Sequence, residues 1–262
     1  MAEHQIVFDD GAAYEKMMGT WSRITGDMFL DWLAPPRDLR WVDIGCGNGA
    51  FTQLLIERCA PAEVHGIDPS QGQLAFARGR PQARMAQFRQ GDAMALPFPD
   101  HRFDAAVMAL VIFFVPDPVK GVAEMTRVVR PGGTVAAYAW DILEAGAPHE
   151  PVHAALRRVG VRPMLPPSAP ASRMVALRDL WTGAGIADVE MHQITVQRTF
   201  ADFDEFWSIN AAAPSLAPTL AAMPAEDAAQ LKDHVRARLP ADGAGRITYD
   251  ARANAVKGRI PG

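Results

Sequence analysis

The chain holds 262 residues, 49% of them hydrophobic, enough for one large α/β domain with a small accessory lobe. Its 26 Lys and Arg against 30 Asp and Glu give a net charge of -4, which argues against a broad electropositive face for nucleic acid. Two cysteines, Cys46 and Cys59, are too few for a disulfide framework and read as small core residues of a reducing cytoplasm.

The first residues lack the basic start and apolar core of a signal sequence. The longest apolar run, about residues 105–115, is too short to span a bilayer and suits a strand buried on both faces. The expectation is a cytoplasmic protein, monomer or homodimer, acting with neither membrane nor nucleic acid. Residues 1–39 precede the first strand. They hold a helical stretch at 12–18, then Met28, Phe29, Trp32 and Leu33 at helical spacing, closed by Pro35-Pro36.

Trp41-Val42-Asp43-Ile44-Gly45-Cys46-Gly47-Asn48-Gly49 reads as a buried strand running into a turn with glycine at every second position. A helix follows, with Phe51, Leu54, Leu55 and Cys59 on one face. Glycines here turn the backbone sharply and leave room for a ligand against it. Asp43 discriminates between ligands. A dinucleotide pyrophosphate favours helix N-terminal amides without a carboxylate nearby. A carboxylate at this point suits an ammonium group, such as the one on the methionine end of S-adenosylmethionine.

Residues 63–68 form a second strand ending in Asp68, about 25 residues past Asp43, and Ser70-Gln71-Gly72-Gln73 opens a helix with capping-box spacing. Gln90-Gly91-Asp92-Ala93 marks a third strand end, and residues 103–110 a fourth strand. Val119, Val122, Met125 and Val129 form the stripe of a crossover helix, and Arg130-Pro131-Gly132-Gly133 turns into a fifth strand.

These five features, in this order over about residues 40–140, resemble the class I S-adenosylmethionine-dependent methyltransferases. Within them the likeness is to the small-molecule branch similar to the ubiquinone/menaquinone C-methylases (methyltransferase type 11). The resemblance implies a doubly wound, seven-stranded sheet with its last strand antiparallel and N-terminal helices folded over the cofactor. It implies cofactor contacts from Asp43, Gly45, Cys46 and Gly47, from Asp68 and Pro69 at the ribose, from Asp92 and Ala93 at the adenine, and from Leu110. Tyr14, Trp21 and Arg23 would line the lid, with Arg23 near the methionine carboxylate. Phe113 and Phe114 would wall the acceptor.

Past Trp140 the chain changes character. Residues 141–171 are rich in proline and alanine, with a short helix expected at 152–159. Leu177, Leu180, Trp181 and Ala184 mark another helix. Val189, Met191, Ile194 and Val196 alternate but slip phase once, which predicts a strand with a bulge. Ile247, Tyr249, Ala251, Ala253 and Ala255 keep a strict two-residue period and predict the final strand. The domains expected are a lid at 1–39, the cofactor domain at 40–201 and 246–262, and a helical cap at 202–245. From that cap Phe206 and Trp207, beside Phe203, are expected to form the acceptor's opposing wall.

No metal site is expected, because clustered ligand spacing is missing. His149, His153 and His192 read as solvated or structural, and no catalytic residue is assigned. The function expected is methyl transfer to a small, apolar or aromatic acceptor. The alternatives are a cofactor-binding protein of the same fold without that activity, or a nicotinamide oxidoreductase. G-x-G-x-G spacing in place of G-x-G-x-x-G weighs against the latter.

Overall fold

Trp41, Val42 and Ile44 are wholly buried in β1 (Arg40–Ile44), which sits in the middle of the sheet with parallel neighbours on both sides. A strand covered on both faces needs such a near-continuous apolar run. In the computed structural model, which describes residues 11–262 apart from the side chains of Ala13 and Tyr14, seven strands form one sheet. They are β1, β2 (Glu63–Asp68), β3 (Gln87–Gln90), β4 (Phe103–Ala109), β5 (Val129–Trp140), β6 (Ala187–Phe200) and β7 (Ile247–Arg259). Their order is β3-β2-β1-β4-β5-β7-β6, and β7 runs antiparallel to both neighbours. The order reverses between β1 and β4, so the crevice for a ligand opens at the carboxyl ends of these strands.

The bulge expected between Met191 and Ile194 is not there: pairing with β7 is regular from Glu190↔Lys257 to Phe200↔Ile247, and the one register shift falls earlier, between Ala187 and Glu190. The phase change in the sequence instead marks a change of covered face, with Val189 and Met191 half-buried on one side of the strand and Ile194 and Val196 buried on the other. The helices are α1 (Gly11–Leu33), α2 (Ala50–Cys59), α3 (Gln71–Arg78), α4 (Pro118–Val128), α5 (Glu150–Arg158), α6 (Met174–Gly183), α7 (Phe203–Ala211), α8 (Ala217–Ala222) and α9 (Ala225–Arg236). On one face of the sheet, Tyr138 of β5 meets Phe29 of α1 at 4.6 Å and Phe51 of α2 at 5.8 Å between ring centres. On the other, Trp181 of α6 donates from its indole nitrogen to the Val135 carbonyl at 3.0 Å, giving a buried polar atom its partner. In α4, Val122 and Met125 are buried as the stripe requires, but Val119 is 68% exposed and Val129 already belongs to β5.

Residues 11–33 are one 23-residue helix instead of two pieces. Its Trp21 is 1% exposed, with ring centres 6.3 Å from Trp140 and 5.3 Å from Tyr249. Half of this helix is therefore part of the core, and truncating the chain through Trp21 would remove core packing along with any lid. None of the helices among the described residues is long and apolar enough to cross a membrane.

Candidate functional site

The glycine turn works through close approach. Gly45 has φ 73°, and a Cβ there would come within 2.5 Å of both Val111 methyl carbons. Gly47 has φ 51° and lines a cleft, and its Cβ would meet nothing nearer than Gln73 Oε1 at 3.9 Å. Gly45 thus packs the turn against the end of β4, while Gly47 leaves open the space where a ligand would lie.

That cleft has a volume of about 440 Å³ and lies at the carboxyl ends of β1, β2, β3 and β4. It gathers Asp43, Gly45, Cys46 and Gly47 with Asp68, Pro69, Asp92, Ala93, Leu110 and Phe114. Leu110 holds φ 63°, an uncommon backbone state for a branched residue, fixed by its amide donating to Tyr138 O at 2.8 Å.

Asp43 is fully buried beneath the turn. Its Oδ2 accepts from Thr52 Oγ1 at 2.6 Å, and its Oδ1 has no hydrogen-bond partner among the described residues. Burial pushes its pKa up to about 7, against the Thr52 bond and helped by the Asp68 charge. Asp68 accepts from the Gly47 amide at 2.8 Å and the Ser70 amide at 2.9 Å. Asp92 is exposed and accepts from the Met94 amide at 2.8 Å. The Cys46 thiol is held well above its ordinary pKa, first by burial and then by the charges of Asp43 and Asp68, so it stays neutral.

Several expectations need correction. Successive helical residues point about 100° apart, so Trp21, Ser22 and Arg23 cannot all face one cleft. Trp21 turns into the core and Arg23 turns outward, 60% exposed, to meet Glu57 at 3.3 Å. The residue that α1 presents to the cleft is Ser22, whose buried Oγ has no partner among the described residues. Tyr14, expected on the lid, lies outside the described side chains. Phe206 and Trp207 line no part of the site. Phe206 packs on Phe200 and Tyr249, and Trp207 stacks on Phe203, so these aromatics fasten the inserted helices to the sheet.

Glu15, Asn48 and Arg80 carry a signal too scattered in sequence to be read. Asn48 donates to Glu15 at 2.8 Å and to Gly11 O at 3.3 Å, and Arg80 joins Glu15 while donating to Asn48 O at 2.6 Å. The first turns of α1 are thereby latched to the glycine turn. Replacing Arg80 with alanine removes about 1–2 kcal/mol of charge-assisted bonding. Amide exchange over residues 11–18 should then quicken by roughly tenfold, with global unfolding much less affected. Unchanged exchange there would remove the latch.

A second pocket of about 80 Å³ adjoins the cleft through Leu110 and Phe114, which line both. Phe113 lines only this one, together with Met17, Trp140, His149 and His153. Nothing in the sequence assigns either histidine to the site, but the structure brings both to this apolar space. His192 lies elsewhere, stacked on Trp32 at 5.4 Å.

A family model described as a methyltransferase domain matches residues 42–137, from β1 through β5. Residues 42–137 are a class I methyltransferase domain. The chain is 41% identical over 113 residues to 2-methyl-6-phytyl-1,4-hydroquinone methyltransferase 2 of Oryza sativa, covering 42% of this chain and 32% of that one. It is 36% identical over 148 residues to a demethylmenaquinone methyltransferase of Thermus thermophilus, covering 56% and 63%. The chain thus spans less than two thirds of these relatives' length. Among solved structures it superimposes on phosphoethanolamine N-methyltransferase 2 of Haemonchus contortus, in complex with S-adenosylhomocysteine, with a TM-score of 0.58. That match has 18% identity and covers 95% of this chain and 56% of the other, a likeness of fold alone. Most of the cleft's lining lies within the matched residues, with Ser22, Tyr138 and Pro167 added from outside them. The second pocket draws most of its lining from outside residues 42–137.

Proposed function

We propose that this chain is an S-adenosylmethionine-dependent methyltransferase of the cytoplasm, acting on a small, apolar or aromatic acceptor. The observation that carries the reading is a buried, half-satisfied carboxylate, Asp43, beneath a glycine turn that leaves room for a ligand. Such a group favours a cationic ligand and repels a pyrophosphate. Asp68 suits the ribose diol, since a carboxylate at the end of β2 is an acceptor of the right kind for vicinal hydroxyls. Asp92 and Ala93 stand where the adenine would lie.

When bound, S-adenosylmethionine supplies a methyl group already activated on a sulfonium. What remains for the protein is to position two reactants and exclude water. Leu110 and Phe114 would do this at the junction of the two spaces, with Phe113 behind them in the second pocket. The relatives' names, a hydroquinone and a demethylmenaquinone methyltransferase, support a ring compound as acceptor.

Titration calorimetry tests the reading. Saturable binding of S-adenosylmethionine and S-adenosylhomocysteine is expected, with no measurable heat from NADH. Tight NADH binding and silence toward S-adenosylhomocysteine would overturn it.

A further inference from the structure

The second pocket is built differently from the cleft. Among the described residues that line it none carries a formal charge, and its walls include Met17, Phe113, Phe114 and Trp140. Phe113 and Phe114 hold ring centres 4.7 Å apart. The polar side chains among its lining are His149, His153, Ser215 and the Trp140 indole, whose Nε1 has no hydrogen-bond partner among the described residues.

The hydrogen bonds around His149 fix its tautomer. Asn210, 2% exposed, donates from Nδ2 to the Phe206 carbonyl at 2.8 Å, which leaves Oδ1 toward the histidine. His149 Nδ1 lies 2.9 Å from that oxygen and must be the donor. Burial lowers the ring's pKa, so the imidazole is neutral with its lone pair on Nε2. Nε2 makes no hydrogen bond among the described residues. Beside it, with ring centres 6.2 Å apart, His153 is 6% exposed and its Nε2 has no partner among the described residues. Burial, then His149 and Arg157, push the His153 pKa down to about 3, so it too is uncharged. The segment is anchored from below by Tyr249, whose hydroxyl donates to the Pro148 carbonyl.

We propose that this pocket is the acceptor subsite, that it takes the ring of a neutral phenol, and that Nε2 of His149 accepts the phenolic hydroxyl hydrogen. The inference rests on the methyltransferase reading and adds to it a class of acceptor and a specificity-determining residue. A lone pair in an apolar space selects a neutral donor. An anion finds no cation among the described lining residues, and an ammonium finds no carboxylate there. A flat ring matches the aromatic walls. The pocket shares Leu110 and Phe114 with the cleft, which brings the hydroxyl to the side from which a methyl group would come. His153 Nε2 offers a second polar contact for a ring bearing two hydroxyls.

The test uses the full chain saturated with S-adenosylhomocysteine and follows binding of 4-fluorophenol and 4-fluoroanisole by fluorine NMR. The parent should bind the phenol about tenfold more tightly than its methyl ether, the effect of one neutral hydrogen bond. In His149→Phe, which keeps a flat ring and loses the lone pair, that preference should vanish. Ser215→Phe, at a half-buried wall position, should block both ligands without altering S-adenosylhomocysteine binding. Equal binding of phenol and ether by the parent would overturn the proposal, as would a preference that survives in His149→Phe or binding unaffected by Ser215→Phe. Loss of S-adenosylhomocysteine binding in the parent would instead count against the methyltransferase reading itself.

Discussion

Replacing Asp43 with asparagine is expected to weaken S-adenosylhomocysteine binding at pH 8 by roughly 30- to 150-fold, about 2–3 kcal/mol for removing the buried partner of a cation. At pH 5 the parent and the variant should converge. In the free protein the carboxyl titrates at about 7, because it is fully buried and only Thr52 bonds to it. A cationic ligand favours the ionised form and draws that pKa down, so binding releases a proton below pH 7. The parent's affinity then falls by up to about tenfold per unit as pH drops, until the pKa of the bound state is reached. Asparagine has no proton to release, so its affinity should be flat over this range.

The same group makes a stability prediction of opposite sign. The folded pKa of about 7 lies above the unfolded value of about 3.9, so between them the folded state binds more protons. The stability this provides is present below about pH 4 and is lost as pH rises through 7. The ligand-free Asp43→Asn protein should therefore resist denaturant better than the parent at pH 8, by up to about 4 kcal/mol for a shift of three units. Equal stability of the two proteins at pH 8, together with a flat binding profile in the parent, would show that Asp43 is not a strained carboxylate.

How much of this was legible in the sequence follows the range of the interactions. The β1 strand and its turn are written locally, as an apolar run followed by glycines whose positive φ values only that residue adopts freely. The phase slip in β6 was misleading, because a two-residue period changes phase when the covered face changes as well as at a bulge, and here the pairing runs on unbroken from Met191 to Ile194. Periodicity also says that Phe203 and Phe206 share a buried face, but not which surface covers them. That surface comes from Phe200 and Tyr249. The second pocket was hidden for the same reason. Met17, Phe113, His149 and Ser215 come from four separate stretches of chain, and the one bearing His149 looked like a proline- and alanine-rich connection. Trp21, Ser22 and Arg23 show a finer limit. A lid helix can be foreseen, but which of three adjacent residues faces the ligand depends on the helix's rotation, and packing against Trp140 sets that.

Asp68 carries the other large expected effect, and the structure changes its form. An alanine there removes an acceptor for two ribose hydroxyls, and S-adenosylhomocysteine affinity should fall by about 30- to 1,000-fold, or 2–4 kcal/mol. The carboxylate also receives the Gly47 and Ser70 amides, one on each oxygen. Asparagine keeps the shape but must set its amide nitrogen against one of those two donors. It should therefore fall between the parent and the alanine variant, losing more than a shape-preserving change ordinarily would. Loss of the turn and loss of the ribose contact are separated by changing the ligand. The 2′-deoxy analogue of S-adenosylhomocysteine should bind the parent about tenfold more weakly than S-adenosylhomocysteine itself, and the two should bind Asp68→Ala alike. A deoxy analogue that the parent binds as well as the parent ligand would confine Asp68 to holding the glycine turn.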